Sequence, residues 1–101
     1  MPVQHVVVIT FNRELTHDEQ QSLLQDARAM KNAIMHILDL KCGIDMGLNG
    51  TPGKMFSLAA TFDSKEAYVT YQTHPVHQEF ISKHIKPVMA ERKAVQFEFS
   101  H

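Results

Sequence analysis

The chain has 101 residues, 44% of them hydrophobic and 21% charged, and a formal net charge of −1 at pH 7. This length predicts a single domain over residues 1–101 with one hydrophobic core. The balanced charge supplies no basic surface for a phosphate backbone, so we expect no nucleic-acid partner. The longest fully apolar stretch, Val6–Ile9, is far shorter than the ~20 residues of a membrane span, so we expect no membrane partner either.

The single cysteine and the amino-terminal residues indicate the cellular compartment of the protein. Cys42 is the single cysteine, so no intrachain disulfide can form, and the residues after Met1 lack the basic region and cleavage site of a secretory signal. Both observations predict a cytoplasmic protein, and we interpret Cys42 as a small buried hydrophobe on a strand. Seven histidines are the compositional outlier, and they make the net charge sensitive to mild acidification.

The first two predicted elements are a strand and a long helix. Val3–Phe11 is rich in Val, Ile and Phe, with apolar residues on both faces, which indicates that both faces are covered. Thr16 and Glu19 match a capping box, and the apolar stripe that follows predicts a helix from Thr16 to about Leu38. The stripe consists of Leu23, Leu24, Ala27, Met30, Ile34, Ile37 and Leu38.

The next segment predicts an antiparallel hairpin. Apolar and polar residues alternate over Leu40–Leu48, which predicts a strand with one buried face. Residues 49–53 have the composition of a turn. Met55–Phe62 is the predicted return strand, and its buried face would consist of Phe56, Leu58, Ala60 and Phe62.

The last third of the chain predicts a broken helix. Ser64 is the expected cap of the second helix, with Tyr71 on its inner side. Pro75 is unfavourable inside a helix but favourable in a first turn, so we expect a break near His74 and a further helical segment to about His84.

Ala94–Phe99 is the last predicted strand, which completes the order strand, helix, strand, strand, helix, strand. This order predicts the ferredoxin-like α+β fold, a four-stranded antiparallel sheet with both helices on one face. The other face would then be bare in a monomer. Because the first strand is apolar on both sides, we expect a second copy to cover that face in a homodimer.

Two motifs carry chemistry and a family resemblance. Tyr71, His74, Pro75 and His77 form a Tyr-x-x-His-Pro-x-His run, and His5 opens the first strand. Residues 62–67 match a Phe-x-Ser-x-Glu-Ala helix start. In order and spacing these features resemble the stress-responsive A/B barrel domain family, Dabb, over essentially the whole chain. The resemblance implies a dimer in which two sheets face each other in an α/β barrel.

Within that family the chain is similar over its length to a plant polyketide cyclase, and this likeness implies roles for individual residues. Aldol cyclisation needs one group to remove a proton next to a carbonyl and another to polarise the carbonyl oxygen. The resemblance makes His77 the general base, Tyr71 the donor to the carbonyl and His5 an orienting partner. The candidate substrate-binding residues are His74, Ala27 and Arg28.

The same residues also have purely structural interpretations. His77 can be a buried histidine bonded at a helix start, Tyr71 a packed core residue, and His74 a cap. His74, His77 and His84 could share a helical face as metal ligands, but no cysteine pair or Glu-x-x-His arrangement completes a zinc site. We therefore predict no metal and no cofactor.

Three classes of function remain open. The first, which we prefer, is a small homodimeric binding or stress-associated module with no catalytic step, for which a pocket lined by Tyr and His could bind a small apolar or carbonyl-containing molecule. The second is a cyclase- or lyase-like enzyme, and the third is a monooxygenase-like protein acting on haem or a quinol-like substrate, which the lack of Trp disfavours. A closed interior without polar groups would favour the first class, and an open cavity joining Tyr71, His77 and His5 would favour the second.

Overall fold

The computed structural model describes residues 1–50 and 52–100, so Thr51, in the predicted turn, lies outside the described residues. Within this part of the chain, the elements in order are β1 Val3–Phe11, α1 His17–Ala33, β2 Ile37–Ile44, β3 Met55–Phe62, α2 Lys65–Thr73, α3 Pro75–Phe80 and β4 Met89–Glu98. A π-helical turn, Ile81–Ile85, continues α3. The four strands form one antiparallel sheet in the order β2-β3-β1-β4. The predicted ferredoxin-like fold is confirmed.

The hydrophobic core lies between the helices and one face of the sheet. The buried face predicted for β3 is confirmed, since each of its residues is at most 2% exposed: Phe56, Leu58, Ala60 and Phe62. Buried residues along one stripe of α1 complete the core: Leu23, Leu24, Ala27 and Met30. Full burial of a side chain such as Phe62 stabilises the fold by roughly 1.5–3 kcal/mol.

The start of α1 is confirmed and its end is not. The Thr16 hydroxyl accepts the Glu19 amide at 3.2 Å, and the Glu19 carboxylate accepts the Thr16 amide at 2.9 Å. The helix stops at Ala33, whereas the prediction extended it to Leu38. The chain reverses at His36, whose φ of 70° is left-handed and cannot continue a right-handed helix.

This early reversal also moves the second strand. The predicted strand Leu40–Leu48 is wrong at both ends, because β2 covers Ile37–Ile44. Met46 and Leu48, expected on its buried face, are 78% and 79% exposed. They follow the strand in a loop where Gly47 has a φ of 84°, a backbone conformation that ends the extended pairing.

The break in the second helical region is where the sequence predicts it. Ser64 caps α2 through the Ala67 amide at 3.1 Å. His74 ends α2 and caps α3, its Nδ1 accepting the Val76 amide at 3.1 Å, and Pro75 takes the first helical position. None of the helices formed by the described residues is both long and apolar enough to cross a bilayer.

The last strand is longer than predicted, because it begins at Met89 and not at Ala94. It pairs with β1 along its whole length and aligns Gln96 with His5. Arg92 and Gln96 therefore lie on the helix-facing side, and the strand is exposed throughout. Polar residues are tolerated there because β4 is an edge strand that reaches water on this side.

The other face of the sheet is the one predicted to pair with a second copy. Val95 and Phe97 of β4 lie on it and are 56% and 51% exposed. The β1 residues that share this face are half-buried, Val6 opposite Val95 and Val8 further along. An apolar strip therefore runs across two neighbouring strands of this face.

Candidate functional site

The three residues predicted to be catalytic lie together near β4. The ring centroid of Tyr71 is 4.1 Å from that of His77 and 6.0 Å from that of His5. All three residues line a cavity of about 30 Å³. Apart from these residues and Arg92, its wall is apolar. The fold thus joins a phenol and two imidazoles that are far apart in sequence.

Local structure explains this convergence. His5 alternates with Val7 on the helix-facing side of β1, and both are buried. Tyr71 lies on the inner side of α2 and is 3% exposed. The break at His74 redirects the chain, so that His77 in the first turn of α3 packs against the Tyr71 ring.

His77 has a defined tautomer. Its Nδ1 lies 3.2 Å from the Gln72 carbonyl oxygen, which can only accept, so Nδ1 carries the proton and Nε2 keeps a lone pair. Within residues 1–50 and 52–100, Nε2 makes no hydrogen bond. Burial lowers the pKa of His77, and the Arg92 charge lowers it further against the opposing effect of the Gln72 bond. The ring is therefore neutral at neutral pH and can accept a proton.

His5 has the opposite tautomer. The Gln96 side-chain amide donates to His5 Nδ1 at 2.9 Å, so the neutral ring carries its proton on Nε2. Burial, followed by the charges of Arg92 and His77, lowers the pKa of His5 to about 4. His5 therefore offers an N–H donor, for which the described residues provide no partner.

Tyr71 supplies a second donor. Burial, reinforced by Tyr68, raises the pKa of the Tyr71 hydroxyl, so it stays protonated. Among the described residues no hydrogen bond to this hydroxyl is found. The residues that line the cavity therefore carry one acceptor, His77 Nε2, and two donors, His5 Nε2–H and the Tyr71 hydroxyl. This set can hold a carbonyl oxygen beside a carbon that carries an acidic proton.

Arg92 is a residue that the sequence analysis missed. It lines the same cavity, and its charge lowers the pKa values of His5, Tyr71 and His77. The predicted strand began at Ala94, which left Arg92 in a connecting segment. Period-two alternation extended backwards from Gln96 would have placed Arg92 on the same side as His5.

The predicted substrate-binding residues do not line this cavity. His74 caps α3, Ala27 is fully buried in the core, and Arg28 is exposed on α1. Arg28 lies near the half-buried Cys42, where burial raises the pKa of the thiol and the Arg28 charge lowers it. None of the three predicted substrate-binding residues therefore lies in the wall of the cavity formed by Tyr71, His77 and His5.

The histidines considered as metal ligands do not converge. His84 bonds to Asp26 of α1 at 2.7 Å and does not line the cavity that His77 lines. In the described ranges no group of three or more His, Cys, Asp or Glu side chains could hold a metal ion.

The interior is polar but small, so it is neither a closed interior without polar groups nor an open cavity. A cavity of about 30 Å³ holds one or two water molecules, whereas sites for whole small molecules occupy about 300–1,000 Å³. A groove of about 400 Å³ between α2 and β4 is lined in part by Tyr68 and Gln96, which both contact His5. His5 therefore lines the cavity and contacts two residues of the groove.

Solved structures of the same class share this fold. A dimeric ferredoxin-like protein of unknown function from Thermobifida fusca is 28% identical, with a TM-score of 0.84 over 98% of this chain and 92% of that chain. The hydroxynitrile lyase from Passiflora edulis is 19% identical, with a TM-score of 0.78 over 98% of this chain and 94% of that one. The ferredoxin-like class is thus established by topology and by these neighbours.

The family follows from sequence. The model of the stress responsive A/B barrel domain matches residues 3–99. A stress-response A/B barrel domain-containing protein, HS1 of Arabidopsis thaliana, is 30% identical over 80 residues, which are 78% of this chain and 73% of that protein. The chain belongs to the stress-responsive A/B barrel (Dabb) domain family.

Proposed function

We propose that this protein is a single-domain homodimer that binds a small carbonyl-containing molecule between β4 and the α2–α3 break. The carbonyl oxygen would accept hydrogen bonds from His5 Nε2–H and the Tyr71 hydroxyl, and His77 Nε2 would face the adjacent carbon. The rest of the molecule would occupy the groove beside Tyr68.

The opposite tautomers of the two histidines support this proposal most strongly. The Gln72 carbonyl fixes one ring as an acceptor and the Gln96 amide fixes the other as a donor. Two histidines that served only as core filler would not need complementary free atoms in one cavity. Such a set of groups matches a ligand that both accepts and donates.

The homodimer is supported by the exposed apolar strip on the open face and by the dimeric state of the Thermobifida fusca neighbour. Burying ~800 Å² per partner is standard for a stable interface. The site lies on the helix-facing side, so pairing through the open face would leave it accessible. The lone Cys42 keeps a reducing cytoplasm as the expected compartment.

A ligand screen tests the binding proposal, with acetylacetone as the reference probe among small ketones, aldehydes and dicarbonyls. We expect saturable changes in the NMR signals of the His5 and His77 rings. Binding should be about tenfold weaker in His77→Ala, because the enol hydroxyl of acetylacetone would donate to His77 Nε2 and this hydrogen bond of ~1.4 kcal/mol is lost. The exposed His17 gives the control His17→Ala, which should bind like wild type. No saturable binding, or equal binding by His77→Ala, would contradict the proposal.

A second candidate is a lyase- or cyclase-like enzyme, of which a polyketide cyclase of the olivetolic acid type is the particular form that the sequence resemblance suggests. The neutral His77 with a free Nε2 favours this candidate. In the first step His77 would take a proton from the carbon next to the carbonyl, and the electron pair would move to the oxygen. The resulting negative charge would be held by His5 Nε2–H and the Tyr71 hydroxyl.

Proton exchange tests this step without knowledge of the substrate. In D₂O the wild type should accelerate deuterium incorporation into the methyl groups of acetone, and His77→Ala should abolish the acceleration. Tyr71→Phe should reduce it about 100-fold, because an oxyanion donor is lost. If wild type, His77→Ala and buffer give the same exchange rate, the protein binds without proton transfer to His77.

A further inference from the structure

Arg92 gives the cavity a charge that the proposed function does not use. Of the described residues that line the cavity, Arg92 is the one with a permanent charge, and no carboxylate accompanies it. Within residues 1–50 and 52–100 Arg92 makes no ion pair or hydrogen bond. The neighbouring carboxylate, Glu91, lies on the other side of the strand and pairs with Lys93 at 3.3 Å. The guanidinium is therefore unneutralised.

The register of β4 explains how this charge reaches the site. Arg92 is paired with Ile9 and Gln96 with His5, so both side chains lie on the helix-facing side of the edge strand. Between them stands Ala94, which is paired with Val7 and has a single methyl group as its side chain. A long flexible cation and a hydrogen-bonded amide thus flank a small residue on the same side of the strand.

A cation at this position opposes the protonation of the two histidines. Its charge acts on His5 and His77 alike, which favours their neutral forms and thereby the donor and acceptor set described above. A ligand that neutralises Arg92 must carry a negative group in addition to its carbonyl. A planar carboxylate suits this task, because guanidinium binds carboxylates through two parallel hydrogen bonds.

We propose that Arg92 is a specificity-determining residue that selects carbonyl compounds bearing a carboxylate, such as keto acids, over neutral carbonyl compounds. This inference rests on the proposed function, since it assigns the substrate class of the same site. The carboxylate would meet Arg92 at the mouth of the cavity, and the carbonyl would lie inside it between His5 and Tyr71.

Acetoacetate and acetylacetone form a matched pair of probes, since they have equal numbers of heavy atoms and differ by a carboxylate in place of an acetyl end. We expect wild type to bind acetoacetate about tenfold more tightly than acetylacetone in NMR titrations. Arg92→Gln should remove this preference by weakening acetoacetate alone, as the loss of a charged hydrogen bond predicts. Lys31→Gln, which removes an exposed positive charge on α1, should leave it unchanged.

The inference and the proposed function fail in different ways. If acetylacetone binds in a His77-dependent manner and acetoacetate is not preferred, or is preferred equally by Arg92→Gln, the inference is overturned and the proposed function stands. If acetylacetone does not bind, or binds equally to His77→Ala, the proposed function is overturned. In that case an acetoacetate affinity that depends on Arg92 would show a plain anion site, which overturns the assignment to keto acids.

Discussion

The helix-facing side of the sheet is built differently at its two flanks. Towards β3 it is sealed, with Phe56 and Phe62 at most 2% exposed beneath the helices. Towards β4 it is open, and polar side chains such as Arg92 and Gln96 stand on the same side of the sheet. β1 forms the boundary, because His5 is buried yet bonded to Gln96 on the open flank.

The difference shows how a small α+β domain makes room for a site. The helices cover one side of a four-stranded sheet but leave the edge strand β4 exposed. Apolar side chains are stabilised where water is excluded, whereas imidazole and phenol groups are tolerated where they can still find a polar partner. The candidate site therefore lies at the border between the two flanks, where Tyr71 and His77 meet β1.

The largest expected effect is a difference between the two flanks in how much a mutation lowers the free energy of unfolding. Phe62→Ala on the sealed flank should lower the free energy of unfolding by about 3–5 kcal/mol, because it leaves a cavity in a packed core. Gln96→Ala on the open flank should cost about 1 kcal/mol, the usual net value of one hydrogen bond. Urea unfolding at one protein concentration measures both values, and similar losses at the two positions would contradict the comparison.

A smaller effect concerns pH. The pKa of His5 falls from an ordinary value of 6.5 to about 4 in the folded state. The unfolded chain therefore binds the proton more tightly, so stability is fully present above about pH 6.5 and is lost as the pH falls towards 4. We expect a loss of about 3 kcal/mol over this range from His5, with His77 acting in the same direction.

Urea unfolding of wild type and His5→Asn at about pH 7 and about pH 4 isolates this contribution. The variant should lose less stability on acidification than wild type does. An equal loss in the two proteins would mean that the acid sensitivity arises at other titrating groups.

The open face of the sheet should respond to a charge in a way that the helical side does not. Val95→Glu places a carboxylate in the proposed interface and should raise the dimer dissociation constant roughly thirtyfold, or about 2 kcal/mol. Val69→Glu is the matched control, since Val69 is similarly exposed, at 51% against 56%, but lies on α2. Analytical ultracentrifugation distinguishes the two, and equal dimer stability in both variants would place the interface elsewhere.

The smallest expected effect is electrostatic. Because the Arg92 charge lowers the pKa values of His5 and His77, Arg92→Gln should raise both, as followed by NMR titration of the rings. Lys31→Gln should leave both pKa values unchanged, because that charge lies on α1. Higher salt should reduce the effect of Arg92→Gln, since the guanidinium is exposed to screening.

The sealed flank could be predicted from sequence much better than the open one. The alternation in Met55–Phe62 and the capping box at Thr16 are local signals, and both are confirmed. The end of α1 was predicted wrongly because the reversal depends on a left-handed residue, His36, that is not a glycine. The hydrophobic pattern of a sequence does not predict where such a left-handed residue will end a helix.

The candidate site could be predicted in its residues but not in its chemistry. The run around His77 and the position of His5 indicated a cluster, yet the tautomer of His5 depends on Gln96, which is 91 residues away. Arg92 was missed because a polar edge strand does not show the apolar pattern by which strands are predicted. Ala27 and Arg28 were expected at the site by resemblance alone, and the fold places them on the flank away from β4.

Histidine tautomers can be observed directly by two-bond ¹H–¹⁵N NMR of the imidazole rings at neutral pH. We predict that the His77 ring is neutral with its proton on Nδ1 and that the His5 ring is neutral with its proton on Nε2. A cationic ring at either position, or the same tautomer at both, would contradict the donor and acceptor set from which the proposed function is argued.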